Sequence, residues 1–188
     1  PGKKNHNPTS ATEWSVVFYK NTVEVAKDLP NCFISKSLAA HKIYRRVPYA
    51  HSFRTMDKNL DFVIINVHLY PDTKILGKGT NREEERKKEL GAIASWVSQN
   101  DDVEKDFLIV GDMNVNNKEE LINITPPGFL SLNDEVRKTN TAKVNKPYDH
   151  VMYRPEWTTE IDKEFDFKVI DLVKLMKPLW NGLGEYPG

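Results

Sequence analysis

Two nearly unbroken apolar runs organise the pattern of hydrophobic and polar positions. Phe62-Val63-Ile64-Ile65-Asn66-Val67-His68-Leu69 is rich in β-branched residues and too short for a typical helix, so it predicts a buried central strand. Phe107-Leu108-Ile109-Val110 repeats the pattern and stops abruptly at Gly111-Asp112-Met113-Asn114. Between the runs, Leu90, Ile93, Ala94 and Val97 recur at helical spacing and Trp96 widens the stripe, which predicts a helix over residues 81–99 with a charged, solvated first half. Strand, helix and strand in that order make an α/β unit. Upstream, residues 14–19, the Lys20-Asn21 turn and residues 22–25 read as a hairpin. Downstream, residues 148–153 and 165–170 read as two more strands separated by a turn around Pro155. Residues 1–12 and 181–188, rich in Pro, Gly and polar side chains, read as loop.

Composition narrows the class. At 188 residues with 39% hydrophobic content, the chain has the size of one domain, 1–188, with one core. Lysine plus arginine equal aspartate plus glutamate at 27 each, so a polyanion would have to be met by a local patch rather than a global field. Lys42, Arg45, Arg46 and Arg54, interleaved with Tyr44, Tyr49 and Phe53, form one such cluster; Lys138, Lys143 and Lys146 form another. Either can equally be a solvated face, and the aromatics suit an ordinary strand as well as a sugar-phosphate rim. The lone Cys32 cannot make an internal disulfide. No run of about 18 apolar residues and no signal-peptide pattern occurs, which leaves the compartment open.

Chemistry concentrates at the strand ends. His68, Asp112 with Asn114, and Tyr148-Asp149-His150 would converge on one edge of an α/β sheet, where ligand sites usually form. Each segment also has an ordinary reading. Gly-Asp-x-Asn after a strand is a common Asx-type turn, a strand-end histidine is commonly structural, and Tyr148-Asp149-His150 can simply start a surface strand after Pro147. Together they supply what phosphodiester hydrolysis needs: carboxylates for a hard divalent cation or a water, an amide for a phosphoryl oxygen, and an imidazole that moves a proton.

Order, spacing and strand context resemble the endonuclease/exonuclease/phosphatase superfamily, the DNase I-like fold. The resemblance begins at Glu13-Trp14-Ser15-Val16-Val17-Phe18-Tyr19-Lys20 and continues through Arg46-Val47-Pro48, similar to the family's Arg-x-Pro segment before an aromatic-containing strand, here reaching Phe53. Asn66-Val67-His68-Leu69 matches an Asn-x-His-Leu strand end, and Arg86 with Glu89 fits the charged start of the following helix. Gly111-Asp112-Met113-Asn114 matches Gly-Asp-Phe-Asn with Met for Phe, and Tyr148-Asp149-His150-Val151 matches Tyr-Asp-His-hydrophobic.

The resemblance implies a sandwich of two mixed β-sheets flanked by helices, here lacking its first and last strands. It implies that His68 contacts the scissile phosphate or its proton network, that Asp112 orients water or binds metal, that Asn114 bonds the phosphate or joins the metal site, and that Asp149 completes the acidic centre. Arg46 would brace the pocket; Asn66, Tyr148 and His150 would support it, although His150, following Asp149, should point to the other face of its strand. The implied cofactor is Mg2+, with Mn2+ or Ca2+ as alternatives. The family's metal-binding Glu cannot be placed before Trp14, and its closing Ser-Asp-His is not found, so the chain is expected to be a fragment, incomplete at both ends, or to receive those groups from a companion segment. The implied activity is a metal-dependent nuclease acting on DNA. Alternatives are a phosphoinositide or sphingomyelin phosphodiesterase or phosphatase of the same fold, and a non-catalytic binding module.

Overall fold

The computed structural model describes residues 13–37, 39–71, 81–140, 146–162 and 167–180. Its centre is the expected α/β unit. Strand β3 (Tyr49–Thr55) runs antiparallel to β4 (Asp61–His68), helix α1 (Arg82–Ser98) crosses over, and β5 (Phe107–Asp112) returns parallel to β4. The edges are short: β1 (Val23–Val25) and β2 (Cys32–Phe33) both pair with β3. On the other side β7 (Asp149–Tyr153) pairs antiparallel with β5 and then with β6 (Leu130–Ser131). Helix α2 (Lys118–Ile124) follows β5, and the short α3 (Leu172–Met176) lies near the end. The described residues therefore form one mixed sheet of seven strands, ordered β1-β3-β4-β5-β7-β6 with β2 against β3, and flanking helices. The α/β class, the mixed sheet and the flanking helices are as expected; of the two sheets of the expected sandwich, the described residues form one.

Strand alternation decides which face holds the core. In β4, Val63, Ile65 and Val67 are fully buried beneath Leu90, Ile93 and Val97 of α1, together with Phe107 and Ile109 of β5. The intervening Phe62, Ile64, Asn66 and His68 are only half-buried. The unbroken apolar run had suggested burial on both faces; in the described residues one face is covered and the other faces the cleft side. Asn81 caps α1 through its side chain, which accepts from the Glu84 amide, and three glutamates in the first turn meet the positive end of the helix dipole.

Four expectations need correction. Residues 14–19 form no strand: Phe18 is 94% exposed, and Val23–Val25 pairs with β3 rather than with a hairpin partner. The Lys20 turn is present, Val23 N donating to Lys20 O, but the long edge of β3 is the better ladder partner. Residues 167–170 are also not a strand and lead into α3, while residues 163–166 lie outside the described residues, as do 1–12 and 181–188. The first half of α1 is not wholly solvated, because Arg86 and Glu89 are buried. Tyr44 and Phe53 are core residues, 4% and 3% exposed, and do not rim a groove.

Candidate active site

The parallel β4–β5 register places His68 beside Asp112, and the antiparallel β5–β7 register places Asp112 beside Asp149. Three polar residues distant in sequence thus share one sheet face at the strand ends. The Gly-Asp-Met-Asn run is built for this edge. Gly111 has φ +144°, and a Cβ there would lie 2.0 Å from the Val67 carbonyl oxygen, so only glycine lets β5 approach β4. Met113 is fully buried, its amide donating to Tyr148 O. Asn114 adopts φ +52°, and its amide N donates to Asp112 Oδ1 at 2.9 Å. The ordinary Asx turn is therefore present: it occupies Oδ1 and leaves Oδ2 toward His68 Nε2, 3.8 Å away.

Asn114 is itself nearly buried, its side-chain amide donating to Leu69 O at 3.2 Å, so it ties the ends of β4 and β5 together. Burial pushes the Asp112 carboxyl above its ordinary range; the charge of Asp149 adds to this, while the Asn114 amide and the charges of His68 and Arg46 oppose it.

Glu13 completes the cluster, and the sequence reading did not place it there. Its Oε2 accepts from Arg46 Nε at 2.7 Å and meets His68 Nδ1 at 2.6 Å. Burial raises the Glu13 carboxyl, but the Arg46 hydrogen bond and the His68 and Arg46 charges outweigh it and hold the group below its ordinary value. Since an ionised carboxylate only accepts, Nδ1 of His68 must carry the proton, and Nε2 is the nitrogen offered toward Asp112. The signal available in the sequence was an acidic residue directly before an apolar run, which alone says nothing about a partner fifty-five positions on. Arg46 is thus tied to His68 through the shared Glu13 oxygen. Glu13, Trp14, Phe33, Arg46, Pro48, Asn66 and His68 are among the residues lining an open cleft.

Other expected residues are distributed differently. Asn66 lines the cleft. Tyr148 contributes its backbone carbonyl to Met113. His150 is not brought to the cluster: it lies on the core face, 2% exposed, with Nδ1 2.8 Å from Ser131 Oγ, and burial lowers its pKa. Alternation along β7 sends Asp149 and His150 to opposite faces, so His150 is structural here, which corrects the supporting role. Of the basic clusters, Arg54 is paired with Asp28 and Asp61, Arg46 with Glu13, and Lys146 donates to Asn116 Oδ1 at 2.6 Å; Lys143 lies outside the described residues.

For a divalent cation the donor set is short. Among the described residues no group of three His, Cys, Asp or Glu side chains is placed to hold a metal. Asp112 and Asp149 are nevertheless neighbouring carboxylates whose mutual repulsion helps raise the Asp112 pKa, and two carboxylates suit magnesium, which keeps several waters and takes few protein ligands.

The fold and this cluster define an α/β protein with a polar group of residues at the strand ends of a mixed sheet. No family model matches the chain, and no curated protein matches it. Among solved structures it is similar to the mannosyl-6-phosphatase Bt3783 of Bacteroides thetaiotaomicron VPI-5482, with 13% identity, a TM-score of 0.53, and coverage of 73% of this chain and 55% of that one. Matches also include an endonuclease/exonuclease/phosphatase family protein from Bacteroides thetaiotaomicron (10% identity, TM-score 0.49, 73% and 52%). A third is D. rerio TDP2 complexed with single strand DNA product (16% identity, TM-score 0.42, 71% and 54%). The chain spans about half the length of these proteins. No helix among the described residues is long and apolar enough to cross a membrane.

Proposed function

We propose that His68, Asp112, Asn114 and Asp149 form part of the centre of a divalent-cation-dependent phosphoester hydrolase, acting on phosphodiesters with DNA as the first substrate to assay. The observation that supports this best is the alignment of Glu13, His68 and Asp112: a carboxylate holds Nδ1–H from behind, so in the neutral ring Nε2 is the unprotonated nitrogen, and it faces a second carboxylate beside Asp149. In that state Nε2 can take a proton from an attacking water, and once protonated it can donate to a phosphoryl oxygen. Asp112 and Asp149 would hold the cation, and the cation, when bound, would neutralise charge building on the phosphoryl group. Asn114 keeps the Asp112 loop in register.

A second substrate reading has its own observation. The cleft wall carries the Glu13 carboxylate, and the arginine that lines it, Arg46, is already paired with that carboxylate, so the cleft itself offers little positive charge to a long polyanion. This favours a compact phosphorylated headgroup or sugar, and the Bt3783 mannosyl-6-phosphatase shares the fold. The test compares nicking of plasmid DNA with phosphate release from sugar and inositol phosphates, with magnesium or chelator, for the protein and for Asp112→Ala. The reading expects one activity that requires both magnesium and Asp112. Equal activity in a folded Asp112→Ala variant would overturn the site assignment, and no hydrolysis of any of these substrates would favour the binding module.

A further inference from the structure

We propose that Glu89, inside helix α1, is a positioning residue that clamps the backbones carrying Arg46 and His68; its link to catalysis rests on the function proposed above. Glu89 is 1% exposed, and its two carboxylate oxygens take separate backbone amides: Oε1 accepts from Arg45 N and Oε2 from Tyr70 N, both at 2.7 Å. Arg45 directly precedes Arg46, and Tyr70 follows His68 by two residues. On the cleft side Arg46 and His68 converge on the single atom Oε2 of Glu13. The four segments therefore close a ring of hydrogen bonds, with Glu89 behind the sheet edge and Glu13 in front of it. Arg86, one turn before Glu89, donates to Tyr70 O at 3.1 Å and is held by Glu120, so α1 grips both sides of the Tyr70 backbone.

The clamp responds to protonation. A carboxylate offers both oxygens as acceptors, whereas a carboxylic acid turns one into a donor, and an N–H aimed at it loses much of its partner. Burial is the main reason that the Glu89 carboxyl titrates at about 7; the Arg45 and Tyr70 amides and the charge of Arg46 pull it down, and Glu85, on the same helix, pushes it up. The buried Tyr44 hydroxyl, from the segment packed against α1, feels the Glu89 charge in turn and stays protonated, its pKa raised to about 12 chiefly by burial. Near neutrality one of the two amides is released on acidification. The sign is local: because the folded pKa is raised, protonating Glu89 favours the fold globally while loosening these two contacts.

Amide hydrogen exchange, read residue by residue in the intact protein and corrected for intrinsic rates, tests this without any assumption about substrate. Between about pH 8 and about pH 6, protection of the Arg45 or Tyr70 amide should fall about tenfold relative to the β4–β5 ladder, the change one pKa unit represents. In Glu89→Gln, whose side chain accepts through one oxygen only, one of the two amides should exchange fast at every pH. Protection of both amides that follows the ladder throughout in the wild-type protein would overturn the clamp, as would wild-type protection of both in Glu89→Gln. Rates on the hydrolysed phosphoester, measured alongside, should show a lower kcat with KM little changed in Glu89→Gln. An unchanged kcat removes the link to the site. The expected exchange pattern in a protein that hydrolyses no phosphoester would refute the function and leave the clamp standing.

Discussion

Glu13 and His68 lie 55 residues apart in the chain and 2.6 Å apart in space, and this contact sets which nitrogen of the imidazole faces Asp112. Glu13→Gln removes the charge that holds the proton on Nδ1. Hydrolysis is expected to fall about tenfold to a hundredfold, the range seen when the partner that orients a site histidine is lost. Nitrogen NMR of the His68 ring should show a mixed tautomer population; an unchanged tautomer and rate would refute the orienting role.

Asp112 and Asp149 are expected to act as a pair. Asp112→Asn and Asp149→Asn should each lower hydrolysis about a hundredfold or more. Calorimetric titration with magnesium should show weaker binding in both. A variant that binds magnesium like the parent would separate that carboxylate from the cation site.

Gly111→Ala tests the geometry rather than the chemistry. An added Cβ meets the Val67 carbonyl and the residue must keep φ +144°, so the variant is expected to lose about 3 kcal/mol or more of stability. Denaturant unfolding followed by circular dichroism measures this, and a loss well under 1 kcal/mol would mean that β5 can shift away from β4.

Arg86 and Glu120 are a buried pair joining α1 to α2, at 2% and 5% exposure. Arg86→Met leaves the Glu120 carboxylate buried without its partner and should cost about 3–5 kcal/mol, whereas Arg86→Met with Glu120→Met should regain much of it. The comparison of single and double variants by denaturant unfolding tells a paired charge from mere loss of packing.

Stability should also depend on pH through His51. Burial lowers its pKa below the ordinary 6.5, and its Nε2 lies 2.7 Å from Ser15 Oγ. The unfolded chain then takes up the proton first, so the contribution of His51 is complete above 6.5 and is lost as pH falls through that value toward the folded pKa. Glu89 has the opposite sign, losing stability as pH rises from 4.5 to about 7. His51→Gln should therefore flatten the loss of stability on the acid side, measured by unfolding at about pH 7 and about pH 5. An unchanged slope would show that the ring is not shielded from water.

The sequence by itself determined the elements whose periodicity is strong and local. The apolar run ending at His68, the stripe of Leu90, Ile93 and Val97, and the break at Gly111 each follow from side-chain spacing along one segment, and they define β4, α1 and β5. It also placed Asp112 at the end of one strand and Asp149 at the start of another, which meet because β5 and β7 pair antiparallel. Tertiary structure alone decided the rest. Residues 14–19 have the composition of a strand, yet β1 pairs with β3, since ladder pairing depends on which edge is within reach. Glu13, Glu89 and Glu120 look like solvated charges in the sequence. In the fold Glu13 meets Arg46 and His68, while Glu89 and Glu120 are buried against backbone amides and Arg86, because a charge can be buried only where distant segments bring donors to it.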